Sequence, residues 1–195
     1  MRRWLLCCAL ATVVVSGCSS VGVEQAPPET GSADSTTPPE ITQPALTFGR
    51  FISDPCQLVS REQLATIGII ADPGKATTEV IGPECSWEAD KTTDTGIAVI
   101  LMTNSAGLDS VYMTRAEGYF AETRIGNYPA VNTDNKKPVG RTTPFGDCST
   151  AVAIAKSVAF RVTAHAYKPN PDYEEPCRAS DRVANWVLET LKAGA

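Results

Sequence analysis

Four cysteines, Cys56, Cys85, Cys148 and Cys177, constrain this chain more than any other feature, because no two of them lie closer than 29 positions. A structural zinc site pairs its ligands in C-x₂₋₄-C knuckles, and a dithiol redox centre needs C-x-x-C. This spacing supplies neither. It suits two disulfides, which persist only where the compartment is oxidising. Four cysteines allow three pairings. Cys56–Cys85 with Cys148–Cys177 is favoured, because each bond then joins neighbouring elements and closes a loop of about 30 residues. On the chain-entropy account such a bond contributes roughly 3–4 kcal/mol.

The amino terminus points to that compartment. Met1-Arg2-Arg3 is a short positive segment, and Trp4 to Val15 is an uncharged apolar stretch. A bilayer span needs ~20 residues; this stretch has the length of a signal-peptide core. Val15-Ser16-Gly17-Cys18 follows and resembles the bacterial lipobox: an aliphatic residue, two small residues, then cysteine. In that chemistry the thiol takes a diacylglycerol and the peptidase cuts just before it, the small residues letting the backbone enter the protease cleft. Residues 1–17 are thus expected to be a signal peptide, carrying Cys7 and Cys8 away, and Cys18 to be the lipidated first residue. Acyl chains such as palmitate contribute ~0.8 kcal/mol per buried CH₂, and two or more anchor stably. The expected location is the cell membrane, lipid-anchored, on the extracytoplasmic face.

From Ser19 to Thr47 the composition shifts. Pro27, Pro28, Pro38, Pro39 and Pro44 fall here among many Ser and Thr, with no Lys, Arg or aromatic residue. Such a segment buries too little apolar surface to offset its chain entropy. Residues 18–50 are therefore expected to form a disordered tether reaching roughly 30 Å at ~5–6 Å × √n, and residues 51–195 one globular domain. Removal of Arg2 and Arg3 takes the formal charge from −5 to −7. An acidic body without a basic run disfavours nucleic acid and anionic headgroups.

Within the domain, Ser60-Arg61-Glu62-Gln63 has capping-box spacing and Gly68 a stop, which predicts a helix over residues 61 to 67. Strands are expected at Cys85 to Glu88, Ile97 to Thr103 and Tyr128 to Asn132. Leu108, Val111, Tyr112, Arg115 and Tyr119 suggest a middle helix, and a Pro-, Gly- and Thr-rich loop covers Lys136 to Gly146. Val152, Ile154, Val158, Phe160 and Val162 alternate with small or polar residues, the pattern of a hairpin turning near Lys156-Ser157. Pro176 at N1, then Val183, Ala184, Val187, Leu188 and Leu191, predict a final helix. Short adjacent strands without long crossovers favour an α+β domain, an antiparallel sheet with flanking helices.

Catalytic signatures do not emerge. The processed chain has one histidine, His165, placed by the alternation on the odd strand face with Arg161 and Thr163 and read as a solvated strand residue. No nucleophile elbow, P-loop, H-E-x-x-H or dinucleotide fingerprint occurs. Asp172, Glu174 and Glu175 precede the final helix, where they complement its dipole. Trp87 and Trp186 read as core; Asp54 and Asp147 read as turn or cap residues. No cofactor and no metal are expected.

Asp54-Pro55-Cys56-x-Leu58-Val59-Ser60, Cys85-Ser86-Trp87, Asp147-Cys148 and Cys177 opening the last helix, together with the lipobox and the Pro/Thr-rich stretch, carry a resemblance over nearly the whole chain. It resembles the actinobacterial, largely mycobacterial, lipoprotein family catalogued as domain of unknown function 3558. That resemblance implies a cell-envelope location and carries over no catalytic residue. The two-disulfide α+β layout is also similar to the extracellular sensor domain of a mycobacterial serine/threonine kinase, a fold-level analogy toward recognition. The expected function is a non-enzymatic binding module for an envelope protein or small-molecule ligand. A lipid or glycolipid carrier is the alternative, and an enzyme using an Asp/Glu/Ser cluster the second alternative.

Overall fold

A computed structural model describes residues 36–89, 91, 94–134 and 146–194. Seven strands run in chain order as β1 (Lys75–Glu79), β2 (Gly82–Trp87), β3 (Gly96–Met102), β4 (Tyr119–Ile125), β5 (Tyr128–Asp134), β6 (Asp147–Ala155) and β7 (Val158–His165). The helices are α1 (Arg61–Ala65), α2 (Leu108–Tyr112) and α3 (Pro176–Ala193). All strand pairs are antiparallel, in the order β1-β2-β3-β7-β6-β5-β4. The protein is thus the expected α+β domain, and the alternating β6–β7 hairpin lies at the heart of its sheet.

Each strand interior presents alternate residues to opposite faces. On one face Trp87, Val99, Leu101, Val152, Ile154, Phe160 and Val162 form a core with Val183, Ala184, Val187, Leu188 and Leu191 of α3. Pro176 opens that helix as expected. Its seat is fixed by polar contacts as well: the buried Thr150 hydroxyl stands 2.7 Å from Ser180 Oγ and 2.7 Å from Asp181 Oδ1. Cys56–Cys85 ties the segment before α1 to β2, and Cys148–Cys177 ties β6 to the first turn of α3. The pairing is the favoured one.

The chain packs earlier than residue 51, which corrects the expected tether of 18–50. Leu46 and Phe48 are 5% and 4% exposed within the main core. Leu46 N–H donates to the Ile154 carbonyl at 3.0 Å, and the Tyr128 hydroxyl donates to the Pro44 carbonyl at 2.7 Å. Composition suggested disorder because two large apolar residues are diluted among prolines and hydroxyls. The signal peptide, Cys18 and the tether up to residue 35 lie outside the described residues.

Local chemistry sets the remaining elements. Ser60 Oγ accepts from Gln63 N–H at 3.2 Å, and Gln63 Oε1 accepts from Ser60 N–H at 2.8 Å. Because this capping box satisfies both groups, Ser60→Ala is expected to lower stability by about 1 kcal/mol in a urea titration. The middle helix is shorter than expected. It stops at Tyr112, a short 3₁₀ turn spans Arg115–Glu117, and Tyr119 begins β4 instead. Gly118 permits this, since a Cβ there would collide with the Asp134 carbonyl oxygen and break the β4–β5 pairing. β1 carries no apolar alternation (Lys-Ala-Thr-Thr-Glu) and is an exposed edge strand. Most of the expected loop from Lys136 to Gly146 lies outside the described residues. Among the described residues no helix is long and apolar enough to cross a membrane.

Candidate functional site

The second face of the sheet is divided. Leu108, Val111 and Tyr112 of α2 pack on Met102, Val131, Ala151, Ala153 and Ala159 and close one half. Over the other half no helix lies among the described residues. Cross-strand register builds its floor in rows. Glu84, Ile100, Arg161 and Ala151 stand side by side across β2, β3, β7 and β6. The next row is Ser86, Ala98, Thr163, Ser149 and Thr133, followed by Gly96, His165 and Asp147. Short side chains in the middle row keep the floor low, with larger charged groups standing on either side.

Three adjoining hollows follow from that relief. A groove of about 530 Å³ runs over Ser86, Ala98, Glu84 and His165 toward the exposed Tyr167. A hollow of about 170 Å³ lies over Ser149, Thr163 and Thr133, and one of about 230 Å³ lies over Met102, Val111 and Ile81. Arg161 and Thr133 line both of the smaller ones.

The polar groups here are arranged unequally. His165 Nδ1 contacts the Asp147 carboxylate, with the imidazole side chain 46% exposed. Ser149 Oγ and Thr163 Oγ1 share a hydrogen bond of 2.9 Å. The Arg161 side chain makes no hydrogen bond or ion pair among the described residues, and its Nε is buried without an acceptor. Burial lowers the guanidinium pKa from its ordinary value and the nearby Glu84 carboxylate pulls it back up; an arginine remains charged regardless. Burial raises the Glu84 pKa above the ordinary carboxylate value, the Glu79 carboxylate raises it further, and Arg161 opposes both.

That shift has a defined sign. A carboxylate with a raised folded-state pKa contributes stability fully present below its unfolded value of ~4.3 and lost as pH rises through the folded value. Ionised Glu84 is therefore unfavourable at neutral pH. Glu84→Gln is expected to raise the melting temperature at pH 7 and to lose that advantage near pH 3, measured by calorimetry across pH.

The sequence located some of these residues and missed others. His165 does lie on the polar strand face with Arg161 and Thr163, yet it is paired with Asp147, which is neither a turn nor a cap residue. Asp54 accepts from Gln57 Nε2 at 2.6 Å in the turn before α1, and Trp87 is fully buried while Trp186 is partly so. Glu175 pairs with Arg178 at 2.7 Å, and Asp172 with Arg182 at 3.3 Å and the Thr95 hydroxyl at 2.9 Å. Arg161 and Glu84 were not singled out; the only signal was a charged residue at an alternating position of an otherwise apolar or small strand. Among the described residues no group of three or more His, Cys, Asp or Glu side chains converges as a metal site would require.

Residues 13–190 match the family described as Protein of unknown function (DUF3558). No curated protein and no solved structure matches the chain.

Proposed function

The chain belongs to the DUF3558 family, and from that premise we propose a non-enzymatic binding module, held at the outer face of the membrane by acyl chains on Cys18. Its ligand lies on the open half of the sheet. The observation that carries this reading is a polar groove of about 530 Å³ with Arg161 unpartnered beside it. Ligand sites fall in the range of roughly 300–1,000 Å³ and combine a shaped floor with a few convergent polar groups. Asp147 orients His165, but the neighbouring Ser149 hydroxyl bonds to Thr163 and not to the imidazole. A nucleophile without its base favours binding over acyl transfer.

The location also motivates a lipid or glycolipid carrier. A carrier needs an enclosed apolar cavity, whereas the interior between sheet and α3 is filled by side chains such as Phe160, Val162 and Leu188. The hollows on the second face are open and bordered by acids and hydroxyls, which favours the first reading. Extraction of the full-length protein in mild detergent, followed by chemical cross-linking and mass spectrometry, tests it. An envelope protein or small molecule is expected to travel with the protein and to cross-link near Ser86, Thr163 or Tyr167. No co-purifying species, with no melting shift against envelope extracts or a small-molecule library, would overturn it.

A further inference from the structure

We propose that Arg161 anchors the carboxylate of a small acid whose apolar body lies against Ile81, Met102 and Val111. This inference rests on the binding-module reading and specifies the ligand class. The starting point is an unmatched charge. Arg161 is partly buried, and its Nε–H is buried with no acceptor, a donor left unsatisfied at a cost that a hydrogen-bonded counter-ion would relieve. Glu84 stands on the same cross-strand row and acts on Arg161 only through space, without an ion pair. A ligand carboxylate would accept the bidentate hydrogen bonds that the guanidinium geometry offers.

The two hollows that meet at Arg161 define the rest of the molecule. One, of about 230 Å³, offers Ile81, Met102 and Val111, with the Ser110 and Thr114 hydroxyls at its border. The other, of about 170 Å³, offers Ser149 and Thr163. Thr133 lines both; its hydroxyl donates to the Ser149 carbonyl at a long 3.5 Å and would turn from it to a ligand carboxylate oxygen. An acid with an apolar body thus places its charge at the junction and its carbon chain on the α2 side.

The surrounding charges select the anion. Glu117, Asp134 and Asp147 border these two hollows and Glu84 stands in the row of Arg161, while Arg161 and His165 are the basic groups lining them, His165 being paired with Asp147. Such a rim repels a dianion more than a monoanion. A monocarboxylate meets one guanidinium with one charge; inorganic phosphate near neutral pH is in part a dianion.

The test uses the full chain carrying Cys18→Ser, so that no acyl chain competes for the probes. Hexanoate, hexanol and inorganic phosphate are titrated while the Arg161 Nε–H and the Thr133 and Met102 amides are followed by nitrogen-15 correlation spectra. Hexanoate is expected to shift these signals saturably, at least tenfold more tightly than hexanol and more tightly than phosphate. Arg161→Met should reduce hexanoate to the level of hexanol, and Arg161→Lys should retain part of the preference. Unchanged signals elsewhere in the spectrum verify that both variants fold. Equal affinity for hexanoate and hexanol overturns the carboxylate assignment while leaving the groove a binding site. Tighter phosphate binding overturns the monoanion assignment. No response to any probe removes the acid site, and the co-purification experiment then decides the binding reading separately.

Discussion

Replacing Cys148 and Cys177 together by alanine is expected to lower the unfolding free energy by roughly 3–4 kcal/mol, read from the urea midpoint at constant slope. The bond joins residues separated by 29 positions, linking β6 at the centre of the sheet to the first turn of α3. Without it the denatured chain regains the freedom of a loop of about 30 residues. Cys56–Cys85 closes a loop of the same length and pins the segment before α1 beneath β2. Loss of both therefore removes roughly 6–8 kcal/mol if the loops act independently, against a typical domain stability of about 5–15 kcal/mol. Reduction with dithiothreitol at 37 °C should then leave the domain largely unfolded by circular dichroism. An unchanged midpoint after reduction would show that α3 is held by packing alone.

Phe48→Ala should cost about 3–5 kcal/mol, an effect no tether residue could produce. Phe48 and Leu46 sit in the same cluster as Phe51, Leu188 and Leu191. The neighbouring backbone is recruited to the sheet through Leu46 N–H on the Ile154 carbonyl. Truncating the ring leaves a cavity in that core, which the close-packed surroundings fill only in part. A urea titration measures the loss, and Thr36→Ala, among exposed residues, serves as the neutral control. A Phe48 variant as stable as that control would mean that the domain begins at residue 51 after all.

The β6–β7 hairpin explains why the fold was more legible than the site. Alternation of Val152, Ile154, Val158, Phe160 and Val162 gave strand, face and turn, because burial on one face has period two. Ala155 pairs with Val158; continued regularly, that register would set residue 147 opposite residue 166. A bulge between Ala153 and Ala155 shifts the pairing by one, which brings Asp147 opposite His165. No hydrophobic pattern announces a bulge, so the Asp147–His165 pair leaves no trace in the sequence. α3 was readable for the converse reason, its apolar stripe being long and opened by Pro176. β1 and β4 were missed because edge strands bury little, and their Lys, Thr, Glu and Arg residues resemble a solvated loop. Arg161 looked like an ordinary solvent-side residue of an alternating strand. Only the register, which surrounds it with Ala and Ile in its own row and sets α2 nearby, removes its Nε from water.

Location, bridges and ligand face all presuppose export followed by acylation, and one mass spectrum addresses that directly. The native protein is extracted from membranes in detergent, alkylated without prior reduction, then weighed intact and after proteolysis. The account predicts a chain beginning at Cys18 with added acyl mass, no alkylated thiol, and cross-linked peptides joining Cys56 to Cys85 and Cys148 to Cys177. A chain retaining Met1, free of acyl mass and alkylated at all four domain cysteines, would contradict it.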